Sequence, residues 1–227
     1  MKITKIFSAA TILVLSVNSV NAQQAKAVDQ DPKAKKILDD VSAKTKTYTS
    51  INADFSYTLE NKSKKTSETH TGKLTSKGNK FKLEVANQTI INDGKTSWTI
   101  LPESKEVQIN SVSASDKDES INPSNIFTIY EKGFKYQFEK EQTAKSGAVQ
   151  QVIKLFPTEP KKKNFHQAIL TIDKTKKQIV SLKVFGKDGQ DVTYNVKKFE
   201  PNTITNDTPF TFTQATYKGY EIVDLRE

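Results

Sequence analysis

Apolar and polar residues alternate along most of the chain, and this alternation predicts a protein built mainly of β-strands. The clearest run is Ile51, Ala53, Phe55, Tyr57 and Leu59, with a polar residue between each pair. A period of two places such side chains on one face of a strand. Similar runs recur roughly ten times up to the C-terminus, separated by Gly-, Asp- and Pro-containing turns. We therefore expect a long antiparallel meander.

One long segment has the helical period instead. Its apolar residues are Ala34, Ile37, Leu38, Val41 and Tyr48. Asp31 is a good N-cap before them, and Pro32 suits the first helical position. A shorter helical segment follows Asn122-Pro123-Ser124 in the middle of the chain. No strand–helix–strand rhythm is present, which excludes a doubly wound fold. The expected fold is mainly β with helices (α+β): a strongly curved antiparallel sheet, or open half-barrel, with helices covering its concave face.

The first 22 residues are typical of a cleaved secretory signal. Lys2 and Lys5 precede a mostly apolar run from Ile6 to Val17, and short residues follow up to Ala22. Such a segment is too short to span a membrane comfortably. We place cleavage after Ala22, a flexible leader at 23–30 and a single domain at 31–227.

The formal net charge of +9 becomes +7 once Lys2 and Lys5 leave with the signal. A basic chain suggests nucleic acid, but export and the interleaving of acidic with basic residues argue against that partner. The lysine runs fall at predicted turns, where solvated loop tips are the simplest interpretation. Docking on an acidic protein or an anionic membrane is the alternative.

Reactive groups are scarce. The chain has no Cys, and its two histidines, His70 and His166, are far apart, so a typical zinc site is not expected. No nucleophile elbow or phosphate-binding glycine loop occurs. We expect no enzyme activity, no metal and no cofactor. Carboxylates distant in sequence can still meet in space, which leaves a hydrolase as a minor alternative.

Aromatic residues are numerous: twelve Phe, seven Tyr and one Trp. They either fill the core between sheet and helix or line an apolar cavity for a lipid. Both interpretations are compatible with a curved sheet, because such sheets often enclose pockets.

Several motifs, in order along the chain, resemble the LolA family. NDGKTSWTILP at 92–102, continuing to Glu106-Val107, is similar to the family's S-D-G-K-T-x-W-x-Y-x-P…Q-V signature. KGNKFKL at 77–83 is similar to its R-P-N-x-F-x-W stretch, and NPSNIF at 122–127 to its T-P-x-x-L lid helix. Phe210-Thr211-Phe212 resembles its closing F-x-F segment.

The resemblance implies a periplasmic carrier that escorts lipoproteins from the inner to the outer membrane. Its implied partners are acylated lipoproteins, an inner-membrane lipoprotein-releasing transporter and an outer-membrane acceptor, and we expect a monomer. The alternative is a module of the same fold that carries or senses another lipid or an envelope-stress signal.

Apolar alternation at family-matched positions predicts the binding site. The expected cavity residues are Phe55, Tyr57, Phe81, Leu83, Trp98 and Ile100. The expected lid consists of Ile126, Phe127 and Tyr130. The family's Arg that holds the lid closed is Lys77 here, which makes Lys77 the candidate for that role. Lys lacks the planar fork of Arg, so lid closure is expected to be weaker or to be built differently.

Overall fold

The computed structural model describes residues 30–112 and 126–226. These residues contain one α-helix, and Asp31 is its N-cap. Its carboxylate accepts hydrogen bonds from the backbone N–H groups of Lys33 and Ala34, at 2.8 and 3.2 Å. The other carboxylate oxygen accepts one from Phe138 N–H at 2.9 Å. Asp31 therefore begins helix α1 (Pro32–Thr45) and ties it to a distant strand.

The described strands form one twelve-stranded sheet. They are β1 (Ile51–Asn61), β2 (Thr66–Lys77), β3 (Lys80–Val85), β4 (Gln88–Asn92), β5 (Thr96–Leu101), β6 (Glu106–Ser111), β7 (Phe134–Thr143), β8 (Val149–Pro157), β9 (Phe165–Asp173), β10 (Gln178–Gly186), β11 (Gln190–Pro201) and β12 (Glu221–Asp224). Their spatial order is β12-β6-β5-β4-β3-β2-β1-β11-β10-β9-β8-β7. Every neighbouring pair is antiparallel except β12 and β6, which are parallel.

The main core lies between one face of this open, curved sheet and helix α1. We call this face the inner face. The helix contributes Ala34, Leu38 and Val41, all buried, and it contacts β7 and β10. A second, smaller core lies on the opposite, outer face around Ile91, Ile100 and Val107.

The prediction of a mainly β protein with a curved sheet is confirmed, whereas the described residues contain one α-helix instead of the several expected over the concave face. In the described part of the chain, the second expected helix is reduced to turns at 126–128 and a 3-10 turn at Ile129–Glu131. The signal peptide, the leader up to residue 29 and Asn122-Pro123-Ser124 lie outside the described residues. No helix among those described is long and apolar enough to cross a membrane.

Candidate functional site

A cavity of about 960 Å³ lies between the inner face of the sheet, the end of α1 and the segment that leads into β7. One side of it is apolar because inward-facing residues of β3 and β4 meet side chains from the connecting segments. These apolar lining residues include Tyr48, Phe81, Leu83, Ile90, Phe127 and Ile129. A cavity of this size falls in the range of sites that bind small molecules.

Two predicted residues, Phe81 and Leu83, line this cavity. They alternate along β3 with outward-facing residues, so both side chains point to the inner face. Leu83 lies directly opposite Ile90 on β4, which extends the apolar wall across two strands. Ile90 was not among the predicted site residues, because Ile90 and Ile91 are both apolar and alternation alone does not choose between them.

Phe55 and Tyr57 share the inner face but do not line the large cavity, which corrects their assignment to its wall. Phe55 instead lines a small apolar hollow that adjoins the cavity at Phe127. Each ring lies against the residue opposite it on β2. A Cβ placed on Gly72 would come within 2.4 Å of Cζ of Phe55, which shows how closely the ring covers that glycine. Tyr57 stacks on His70 with ring centroids 5.1 Å apart.

Trp98 and Ile100 lie on the outer face, and their assignment to the cavity is also wrong. The Trp98 ring stacks on Phe212, with centroids 5.5 Å apart, and Phe212 stacks in turn on Tyr217. Strand alternation separates the two faces correctly but does not say which one encloses a cavity. The residues after β11, 202–226, are called the C-terminal segment; they bring their own apolar side chains and form a second core there.

The three predicted lid residues are all buried on the inner side, although they do not form an α-helix. Phe127 reaches the large cavity, and its ring meets Phe199 edge-on at 5.3 Å. Ile126 packs over a small adjoining hollow. Burial raises the pKa of the Tyr130 phenol, whose ring packs into the core rather than against the cavity.

Polar contacts join the 126–131 segment to helix α1. The Ser42 hydroxyl donates a hydrogen bond to the Glu131 carboxylate. The Lys46 ammonium lies 3.6 Å from the same carboxylate. Both contacts are solvent-exposed, so each contributes little, and the segment is held mainly by the burial of Ile126, Phe127 and Tyr130.

Among the described residues, Lys77 contacts the C-terminal segment and not Ile126, Phe127 or Tyr130, so its lid-closing role stays a prediction without support from these contacts. Its ammonium lies 3.0 Å from Asp207 Oδ1 and donates to the backbone carbonyl of Thr205 at 3.4 Å. The Lys80 ammonium donates a hydrogen bond to the other carboxylate oxygen of Asp207, Oδ2, at 2.6 Å. Hydrogen bonds from Lys80 and Lys77 hold the pKa of Asp207 below its ordinary value. Lys77 therefore fastens the C-terminal segment to β2 and β3.

The other side of the cavity is polar, which the sequence did not reveal. Asn92, Ser97, Thr99 and Asn110 line it from β4, β5 and β6. They alternate with the outward-facing apolar residues of the second core. Only the strand register shows that these polar residues face the same space as Phe81.

Comparisons with known proteins agree with this fold. A family model described as outer membrane lipoprotein carrier protein LolA matches residues 46–213. Among solved structures, an uncharacterized conserved protein from Thermus thermophilus superposes with a TM-score of 0.55 at 14% identity, covering 85% of this chain and 99% of that one. Lipoprotein LppX from Mycobacterium tuberculosis gives 0.51 at 14% identity, covering 78% and 99%. A comparison with curated protein sequences found no match. At these identities the solved structures establish the fold alone.

Proposed function

The chain belongs to the LolA family of outer membrane lipoprotein carrier proteins, and from this premise we propose that it carries lipoproteins across the periplasm. In this proposal the cavity holds the acyl chains of a lipoprotein on its way from the inner to the outer membrane. The predicted signal peptide is consistent with a periplasmic location. The proposal includes no catalytic step, metal or cofactor.

The observation that carries the proposal is the apolar wall of the 960 Å³ cavity. Phe81, Leu83 and Ile90 offer a continuous inner surface across β3 and β4, and Phe127 and Ile129 face it from the connecting segment. Acyl chains require such a surface because they form no hydrogen bonds. Burial of apolar area is then the main source of affinity.

The size of the free energy of acyl-chain binding explains why a carrier needs a cavity wall that can move. Burying about fifteen methylenes of one acyl chain gives about 12 kcal/mol, and lipoproteins carry more than one chain. A rigid pocket with that affinity would retain its cargo. The exposed polar contacts between the 126–131 segment and α1 are individually weak, but Ile126, Phe127 and Tyr130 are buried, so displacing the segment costs free energy. We propose that displacement of this segment offsets part of the binding free energy and permits delivery.

The proposed partners follow from this role. They are acylated lipoproteins as cargo, an inner-membrane transporter that releases them and an outer-membrane acceptor. A monomer is sufficient, because one chain provides the whole cavity.

The test is release of a lipoprotein from inner-membrane vesicles by wild-type protein and by Phe81→Glu. A carboxylate in the apolar wall opposes burial of hydrocarbon, so we expect release to fall at least tenfold. Thr71→Glu is the matched control, because Thr71 lies on the exposed outer face of β2. Equal release by wild type and Phe81→Glu would refute the cavity assignment.

One observation favours the alternative, a module of the same fold that carries or senses another lipid. The only Arg of the chain is Arg226, which pairs with Asp224, and Lys77 contacts the C-terminal segment. The arginine latch that the family uses on its lid is therefore absent. Co-purification separates the two roles: intact lipoproteins support the carrier, and free lipid or a signalling partner supports the module.

A further inference from the structure

A row of uncharged polar side chains crosses three neighbouring strands on the inner face. Asn92 on β4 lies directly opposite Ser97 on β5, and Ser97 lies opposite Asn110 on β6. Thr99 occupies the next inward position along β5. All four residues line the cavity described above. We call Asn92, Ser97, Thr99 and Asn110 the polar row.

The polar row has unused hydrogen-bond donors. The backbone N–H of Gly94 donates to Asn92 Oδ1 at 2.7 Å, which fixes the orientation of that amide and leaves its NH₂ group for another partner. Asn92 is only 6% exposed, so bulk water has little access to this group. Within the described residues, 30–112 and 126–226, the side chains of Ser97, Thr99 and Asn110 make no hydrogen bond.

The chemistry of the row selects a class of ligand group. Amide NH₂ and hydroxyl groups donate well to carbonyl and hydroxyl oxygens. The four side chains carry no charge, and the lysines that line the same cavity, Lys46, Lys80, Lys132 and Lys163, lie outside the row. A bound acyl chain would shield the row from water, and polar groups shielded in this way cost free energy until they are hydrogen-bonded. A ligand that supplies acceptors beside its hydrocarbon is therefore favoured over one that does not.

The apolar wall lies beside the row. Phe81 is the register partner of Asn92, and Ile90 is the register partner of Thr99. An amphiphile can therefore place its hydrocarbon chain against β3, while the polar group to which that chain is attached contacts the row on β4, β5 and β6. Strand spacing sets this distance: adjacent strands lie roughly 4.8 Å apart, so wall and row are within the reach of one glyceryl group.

We propose that the polar row binds the ester carbonyls of a diacylglyceryl group whose acyl chains lie on the Phe81 wall. This inference rests on the proposed function and refines it, because it names the part of the cargo that is recognised besides the hydrocarbon. A site that used hydrocarbon alone would not distinguish ester-linked from ether-linked chains. The polar row does distinguish them, because an ether lacks the carbonyl oxygen.

The test compares two soluble probes by titration calorimetry: 1,2-dioctanoylglycerol and its diether analogue, 1,2-di-O-octylglycerol. We expect the ester to bind wild-type protein about tenfold more tightly, the equivalent of about one hydrogen bond. In the double variant Ser97→Ala/Asn110→Ala, the ratio of affinities should fall to about one while the diether still binds. Thr71→Ala on the outer face should retain the wild-type ratio.

The outcomes separate this inference from the proposed function. Equal binding of both probes by wild-type protein overturns the role of the row and leaves a hydrocarbon carrier. Failure of wild-type protein to bind either probe overturns the proposed function and this inference together. Persistent diether binding by the double variant shows that it is folded.

A second pair of probes identifies the source of the diacylglyceryl group. A synthetic peptide with an N-terminal S-diacylglyceryl cysteine is compared with a phosphatidylglycerol of the same chain length. Both probes carry acyl esters that the row can bind, and Lys46, Lys80, Lys132 and Lys163 line other parts of the same cavity, where they could pair with a phosphate. We expect the lipopeptide to bind more tightly, in line with the proposed function. Tighter binding of the phospholipid would overturn a lipoprotein as the source and identify a membrane lipid instead.

Discussion

At the scale of single residues, Trp98 and Phe81 mark the two faces of the sheet. Phe81 lines the cavity, and Trp98 stacks on Phe212 in the outer core. The two side chains lie on neighbouring parts of one sheet, yet only Phe81 can contact a ligand bound inside.

Trp98 is the only Trp of the chain, so its fluorescence reports on the outer core alone. We expect the emission maximum of Trp98 to stay unchanged when an acyl ligand saturates the cavity, because the sheet separates the ring from the ligand. The measurement is a fluorescence titration with dioctanoylglycerol. A Trp98→Phe/Phe81→Trp variant serves as positive control and should shift to shorter wavelength on binding. A blue shift in wild-type protein would contradict the placement of Trp98.

Sequence patterns were sufficient to identify Phe81 and Leu83 but not the rest of the wall. Alternation says that Trp98 and Ile100 share a face, and the structure agrees. It does not say that the face is covered by residues more than one hundred positions later in the chain. The polar row was missed for the same reason, since polar residues in a strand are ordinarily assigned to solvent.

At the scale of secondary-structure elements, the capping of α1 joins the helix to the sheet. Asp31 accepts bonds from the first turn of α1 and from Phe138 N–H on β7. The bond from Phe138, followed by those from Ala34 and Lys33, holds the pKa of Asp31 below its ordinary value. A carboxylate with a lowered pKa stabilises the folded state above its unfolded pKa and loses that effect as the pH falls through its folded pKa.

Asp31→Ala should lower the free energy of unfolding by about 0.5–2 kcal/mol at neutral pH, the usual contribution of an N-cap. Urea unfolding measured at several pH values checks this. The difference from wild type should shrink as the pH is lowered through the folded pKa of Asp31. Asp39→Ala, in the exposed part of the same helix, should have a smaller effect. A loss that does not vary with pH would contradict the role of the charged cap.

The C-terminal segment is held to β2 and β3 by Asp207, which bonds Lys77 and Lys80. Asp207→Asn weakens both contacts, so we expect faster amide hydrogen exchange in residues 205–213 at neutral pH. The lowered pKa of Asp207 means that the difference disappears in acid, once the wild-type carboxylate is also protonated. Glu221→Gln, a charge change elsewhere in the C-terminal segment, is the control. Unchanged exchange in Asp207→Asn would show that the aromatic stack alone holds the segment.

The sequence predicted strands correctly where one face of the strand is apolar. It did not predict a strand where both faces are polar. The β1 strand was predicted from its alternation, whereas β2 was not, because most of its first half is polar and exposed. Pairing with β1 along its whole length, rather than burial, places β2 in the sheet. The parallel pairing of β12 with β6 likewise joins residues that are distant in sequence, so no local sequence pattern predicts it.

At the scale of the whole molecule, the described part of the sheet has a core on each face, and the large cavity lies on the inner face. The outer core is closed by the C-terminal segment through Phe212 and Tyr217. The inner core is filled beneath α1 but leaves a large cavity beside it, apolar on one side and polar on the other. This division would allow one sheet to combine a stable fold with the adjustable binding site that we propose.

The central claim is that acyl chains occupy the cavity beside Phe81. The most direct measurement is native mass spectrometry of the mature protein after incubation with inner-membrane vesicles and re-isolation. We expect wild-type protein and Thr71→Glu to carry a bound acylated species, and Phe81→Glu to carry none. An acylated species of the same mass and abundance on Phe81→Glu would contradict the claim.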